Sequence, residues 1–255
     1  MKPTPKSPET ETSRLNKVVA HRSKYSRREA EKVIVEGKVQ VNGKPLKKPD
    51  DKYTVIVYNK PRGELVTKKD PRGRRTVYDS LPSGFSHFMP VGRLDFASEG
   101  VLLMTDSSTV ADLLMTSGME RVYNLKISGP VTPEMEQAMM EGITLDDATA
   151  GGHEKSGIRS MTFAPFIAWS VEKSGGRSKL KVVINEGKNR ELRRFFAHFN
   201  AEVLDLKRVS FGGIELNALP TGKFRYLSKK EYDGLHDFIR QQKKEKKGDH
   251  GNVNR

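Results

Sequence analysis

The chain has 255 residues, a mass of 28.7 kDa and a formal net charge of +14, enough length for one sizeable core plus a small module. So large an excess of Lys and Arg suits a polyanionic partner better than a neutral metabolite, and nucleic acid leads the candidates. With no cysteine there is no disulfide, zinc ribbon or Cys nucleophile; no apolar run approaches a membrane span, and the polar N-terminal segment does not read as a leader. A cytoplasmic protein without membrane association is expected.

Residues 1–12 and 241–255 are polar and read as tails, the second carrying Lys243, Lys244, Lys246 and Lys247. Between them, residues 13–52 form a distinct unit. Leu15, Val18 and Val19 have the spacing of a short amphipathic helix, and Ser26-Arg27-Arg28-Glu29 is a capping box that opens a second one. Gly37 is placed to end that helix, and Val39-Gln40-Val41-Asn42-Gly43 reads as a strand entering a tight turn. Residues 13–50 hold eleven basic side chains against four acidic ones, half the net charge. From charge alone this is either a solvated face or a docking surface.

Residues 53–240 change character, with strands expected at 55–58, 101–104, 122–127, 181–184 and 224–227. Helices are expected at 109–115, from Thr132-Pro133 to Gly142, and after a second capping box at Ser228-Lys229-Lys230-Glu231. Their irregular alternation predicts an α+β domain and not a βαβ array.

Chemistry has few places to sit. No dinucleotide fingerprint or phosphate-binding loop is present; His153-Glu154 lacks a further ligand at metal spacing, and His198 reads as a surface or core-edge side chain. No metal or cofactor is expected. Gly92-Arg93-Leu94-Asp95 precedes the apolar run Val101-Leu102-Leu103-Met104, so Asp95 is a turn former or a working carboxylate. In the segment Asn189-Arg190-Glu191-Leu192-Arg193-Arg194-Phe195-Phe196, helical spacing puts Leu192, Phe195, Phe196 and Phe199 on one face and Arg190, Arg193 and Arg194 on the other. That cationic face is either solvated or turned to an anion: phosphates, or a carboxylate such as Asp95.

Two resemblances sharpen these alternatives. Ser26-Arg27-Arg28-Glu29-Ala30 followed by Gly37-x-Val39-x-Val41-Asn42-Gly43 resembles the S4 RNA-binding module, here trimmed after Leu46. That likeness implies a helix-helix-hairpin whose Arg14, Lys17, Arg27, Arg28 and Lys32 face RNA. Residues 14–240 resemble the S4-containing pseudouridine synthases of ribosomal RNA, through Tyr58-Asn59-Lys60-Pro61-Arg62-Gly63, Gly92-Arg93-Leu94-Asp95, Ser98-Glu99-Gly100-Val101, Arg121-Val122-Tyr123 and Asn189-Arg190-Glu191-Leu192-Arg193-Arg194.

Gly63-Glu64-Leu65-Val66-Thr67 and Asp70-Pro71-Arg72-Gly73-Arg74 are most similar to the branch acting on large-subunit rRNA. The resemblance implies a catalytic domain with a mixed, mainly antiparallel sheet and a cofactor-free isomerisation of uridine after base flipping. It assigns Asp95 as the essential carboxylate, Tyr123 as its aromatic partner and Arg193 as its basic partner. Lys60, Arg93, Arg190 and Arg194 are expected to support RNA phosphates or the fold. By residue type alone, Tyr123, flanked by Val122 and Leu125 in a strand, reads as core. The implied partner is ribosomal RNA of the 23S type or an assembly particle, bound by a monomer. Rival readings are a non-catalytic rRNA-binding factor and a synthase acting on transfer RNA.

Overall fold

A computed structural model describes residues 53–248 except 155 and 175, together with residues 26, 29, 30, 33, 40, 41, 44 and 45. The chain divides into two units, Met1–Lys52 and Tyr53–Arg255.

In the first unit the capping box is formed: the Ser26 N–H donates to Glu29 Oε2 at 2.7 Å and the Glu29 N–H to Ser26 Oγ at 3.3 Å. β1 (Gln40–Val41) and β2 (Lys44–Pro45) pair antiparallel, with Val41 opposite Lys44. The expected first helix, the Gly37 stop, and Arg14, Lys17, Arg27, Arg28 and Lys32 lie outside the described residues.

The second unit is built on a nine-stranded sheet. β3 (Val55–Lys60) is buried along its whole length, as a run of β-branched residues capped by Tyr58 would require of an inner strand. A short α1 (Val77–Ser80) and a 3₁₀ turn lead to β4 (Met89–Pro90), and the Asp95 loop then enters β5 (Glu99–Thr105). Ser107 caps α2 (Ser108–Thr116), which precedes β6 (Arg121–Ser128). Thr132 caps α3 (Pro133–Glu141), which stops at Gly142 with φ 78°. β7 (Ile143–Leu145) and β8 (Met161–Phe163) form a separate ribbon. The chain closes through β9 (Ala168–Ser174), β10 (Arg177–Ile184), α4 (Glu191–His198), β11 (Val203–Phe211), β12 (Ile214–Glu215), β13 (Phe224–Tyr226) and α5 (Lys229–Gly248).

The main strand order is β13-β3-β5-β11-β6-β10-β9, with β4 on β5 and β12 on β11. All pairings are antiparallel except β5 with β11. Two-residue alternation sends Ile56, Tyr58, Leu102 and Met104 to one face, where α3 and α4 cover them. Val55, Val57, Val101 and Leu103 reach the other face, under α2 and α5. Two elements differ from the sequence reading. β11 lies mid-sheet yet carries Asp205, Lys207 and Arg208, which hide its apolar alternation; α5 continues to Gly248, beyond the point where a tail is expected.

The β5–β11 contact depends on one glycine. Gly100 has φ +105°, and a Cβ there would collide with the carbonyl oxygen of Arg208. Gly100→Ala is therefore expected to destabilise the domain by more than about 3 kcal/mol, combining backbone strain with overpacking, as urea titration would show.

Candidate active site

The loop between β4 and β5 is held from below by Lys60. Its ammonium, fully buried at the end of β3, donates to the carbonyls of Pro61 at 2.9 Å, Asp95 at 3.1 Å and Ser98 at 2.8 Å. Burial lowers the Lys60 pKa to about 8, while the negative charges of Glu64, Asp95 and Glu99 pull it back up. The Ser98 N–H donates to the Asp95 carbonyl at 3.0 Å, so the main chain makes the turn and leaves the Asp95 carboxylate for other work. Of the two roles expected for Lys60, RNA contact or support of the fold, its lack of accessible surface leaves the second: it positions this loop.

The Asp95 side chain is 28 % exposed and faces two guanidinium groups. Arg190 Nη1 lies 3.4 Å from Asp95 Oδ2, and Arg193 Nε lies 3.6 Å from the same oxygen. These are ion-pair distances longer than normal hydrogen bonds, so the carboxylate is charge-compensated while its lone pairs stay uncommitted. Arg193 Nε is buried with no hydrogen-bond partner, whereas its Nη1 donates to the Val203 carbonyl at 2.8 Å and thereby aims the group. Burial lowers the Arg193 pKa, the Arg190 cation lowers it further and Asp95 opposes both.

Arg190 precedes α4 in a left-handed conformation, φ 51° and ψ 34°, which is uncommon for a residue with a side chain. Its Nε donates to the Gly151 carbonyl at 2.7 Å, so this strained residue is fixed in place beside Asp95. Arg190, expected to support phosphate or fold, is thus a second cationic partner of the carboxylate.

Arg194 corrects the expectation of one cationic face. It is fully buried, and its guanidinium donates to the carbonyls of Ala148 and Asn189 and, at 2.8 Å, to Ser156 Oγ. It cannot reach RNA phosphate: Ala148, Gly152 and Ser156 cover that side of α4. The helical pattern shows only which side faces the core, not what a distant loop lays over the other.

Tyr123 and Asp95 line one cavity of about 200 Å³, together with Arg93, Arg121, Glu191 and Arg208. Tyr123 is itself mostly buried, so it is a core residue that also shows one edge to the cavity. Arg93 is exposed at the rim, accessible to phosphate. Arg121 and Arg208 were not among the expected site residues; the signal for Arg208 is its place in an alternating strand too charged to be recognised. Among the described residues no group of three or more His, Asp or Glu side chains could hold a metal ion, and no helix is long and apolar enough to cross a membrane.

Glu191 gives the cavity a pH dependence. Burial pushes its carboxyl up to about 7, against the stabilising Lys188 N–H at 3.0 Å. Between the ordinary value of 4.5 and about 7 the folded protein keeps a proton that the unfolded chain releases, so stability falls as pH rises through this window. Glu191→Gln should remove that fall, a difference of about 1.4 kcal/mol per unit of pKa shift in urea titrations at about pH 5 and about pH 8. Arg194→Ala, which strands buried carbonyls, should lower stability by about 3 kcal/mol without a specific loss of RNA affinity, measured by melting and filter binding.

Residues 54–198 match the RNA pseudouridylate synthase family, and residues 13–55 match the S4 domain. Over 249 residues the chain is 52% identical to an uncharacterized RNA pseudouridine synthase of Helicobacter pylori, covering 89% of this chain and 94% of that one. It is 34% identical over 258 residues to ribosomal large subunit pseudouridine synthase B of Vibrio cholerae, covering 89% and 75% of the two chains. The protein of the same name from Bacillus subtilis is 32% identical over 242 residues, covering 87% and 95%. A crystal structure of a pseudouridylate synthase shares the fold, with a TM-score of 0.61 at 22% identity over 87% of this chain and 98% of that one. With most of its length aligned to these relatives, the chain belongs to the RNA pseudouridine synthase family and carries an S4 domain ahead of the catalytic one.

Proposed function

We propose that this enzyme converts a uridine of large-subunit ribosomal RNA to pseudouridine, with Asp95 as the essential carboxylate. The observation that carries this reading is the Asp95 carboxylate standing 3.4 and 3.6 Å from two guanidinium groups in a cavity shared with Tyr123. Its similarity to two proteins named for the large subunit supports the substrate.

The reaction detaches uracil at N1–C1′, turns it and rejoins it through C5, leaving the composition unchanged. A uridine stacked in folded RNA must leave its stack to reach the cavity. Asp95 then acts on the sugar, as a nucleophile at C1′ or as a base. Arg190 and Arg193 supply counter-charge beside it, and the Arg193 Nε donor can tighten onto it when substrate fills the site. Tyr123 packs beside the base and can exchange a proton late in the reaction.

The RNA chain is held by charge. Arg93 stands at the cavity rim, and a groove of about 570 Å³ on the sheet presents Arg62, Lys126, Lys179, Lys181 and Lys207, partly offset by Glu99, Glu172 and Asp205. The S4 domain, as a helix-helix-hairpin, adds phosphate contacts through Arg14, Lys17, Arg27, Arg28 and Lys32. The same reading has the enzyme act as a cytoplasmic monomer on ribosomal RNA or an assembly particle.

Pseudouridine mapping of ribosomal RNA from cells with and without the protein tests the substrate: one large-subunit position should lose its modification, and an unchanged map would overturn the reading. Asp95→Asn should retain fold and RNA affinity yet lose tritium release from C5-labelled uridine by several orders of magnitude. Arg193→Ala should lose turnover with little change in RNA affinity, because Asp95 keeps only Arg190 as counter-charge. Replacing Arg27 and Arg28 with Gln should flatten the dependence of log affinity on log salt by about 0.7 to 0.9 unit per lost contact.

A further inference from the structure

Arg121 and Arg208 line the Asp95 cavity with no carboxylate partner among the described residues. Both guanidinium groups pack on one ring, at 4.9 and 5.2 Å from the centroid of Phe211. Arg121 is satisfied by main chain, donating to the carbonyls of Met119 at 2.9 Å and Asn185 at 2.6 Å. Arg208 is different. It is 3 % exposed, its Nε donates to the Val101 carbonyl at 2.7 Å, and its Nη2 is buried with no hydrogen-bond partner. In the β11–β6 register Arg208 stands opposite Tyr123, so the two side chains leave the sheet on the same face.

A native protein rarely leaves such a donor unsatisfied, and one lining a cavity is satisfied by what enters it. The cavity, about 200 Å³, is smaller than the roughly 300–1,000 Å³ of pockets for drug-sized ligands and suits a single base. Arg93, exposed at the cavity rim, lies farther out, where RNA phosphate has access.

We propose that Arg208 Nη2 hydrogen-bonds a carbonyl oxygen of uracil and stabilises the negative charge the base acquires when N1–C1′ breaks. The inference rests on the reading that Asp95 is the reaction centre. In the cleavage step the bonding pair stays with uracil, spreading over N1 and its carbonyl oxygens. The electron demand at C1′ is met by a bond to the Asp95 carboxylate, or by transfer of a sugar proton to it. Rejoining forms C5–C1′ with the electrons of the uracil anion; the C5 proton leaves and any proton or bond taken up by Asp95 is returned, so the product is an isomer. Arg208 acts throughout as a fixed hydrogen-bond donor, as an oxyanion hole does.

Full-length wild type, Arg208→Lys and Asp95→Asn are compared in single-turnover reactions on large-subunit ribosomal RNA transcribed with UTP or with 5-fluoro-UTP, mass spectrometry reading pseudouridine from the first and, from the second, the C-linked 5-fluoro nucleoside that keeps its fluorine and takes up solvent water at C6, there being no C5 proton to lose. Fluorine makes uracil a better leaving group, so a variant lacking leaving-group stabilisation should be partly rescued by it. Arg208→Lys keeps a cation and one donor for Val101; it should lose about 100- to 1,000-fold in rate on uridine RNA, the range for removal of a single oxyanion-hole donor. On the fluorinated RNA the loss should shrink to about tenfold or less, with unchanged RNA affinity. Arg208→Gln, an uncharged second variant that also retains a donor, should show the same selectivity. Wild-type rates in both variants, or equal losses on the two RNAs, would overturn the proposal. Turnover by Asp95→Asn would instead withdraw the Asp95 reading itself.

Discussion

A buried ammonium with three carbonyl partners sets the geometry on which the site depends. Lys60 ends β3 inside the sheet, where a charge without partners would be costly, and it is tolerated because it draws together the carbonyls of Pro61, Asp95 and Ser98. Those carbonyls belong to two different connections, so one cation ties the exit of β3 to the entry of β5. Arg193 grips the same loop from α4, with Nη2 3.5 Å from Ser98 Oγ. Asp95 is therefore presented by a loop fixed from the sheet below and the helix beside it. Gly100 continues the arrangement by letting β11 approach directly behind that loop, which brings Arg208 onto the face of Tyr123.

Positive charge is distributed through the interior as well as the surface. Arg121 and Arg194 are buried and bonded chiefly to main-chain oxygens, which satisfy donors without cancelling charge. Within the cavity, Glu191 is pushed up to about 7, so at neutral pH it is only partly ionised and offsets less of that charge. The result is a cavity biased toward an anionic visitor before RNA arrives, with the guanidinium groups of Arg190 and Arg193 placed against the Asp95 carboxylate. In a low-dielectric site, fixed donors of this kind act more strongly than they would in water and need little reorganisation.

Local grammar was legible wherever it rests on a few adjacent residues. The boxes at Ser26 and Ser228, the Thr132 cap before Pro133, the Gly142 stop and the apolar runs of β3 and β5 all follow from propensity and alternation. β11 escaped because its Asp205, Lys207 and Arg208 interrupt the apolar pattern that marks an inner strand, their charges being accommodated by the sheet's open face, Arg62 and the cavity. Arg208 escaped with it.

Composition and neighbours along the chain were enough for the α+β class and the basic character, and the motifs through which the chain resembles its family marked Asp95, Tyr123 and Arg193. The resemblance singled out Arg193 as the partner of Asp95, but why Arg193 and not Arg194, and that Arg190 joins it, was decided only in three dimensions. Arg193 and Arg194 are adjacent, identical in type and about 100° apart on one helix. Arg193 meets the loop between β4 and β5 and becomes a partner of the carboxylate, whereas Arg194 is enclosed by Ala148, Gly152 and Ser156 and becomes a structural pin. Arg190, read as part of the helix, lies just outside it in a left-handed turn that places it beside Asp95. Helical periodicity specifies directions around an axis; only tertiary packing specifies what waits in each direction, and that decides whether a cation binds phosphate, a carboxylate or the backbone.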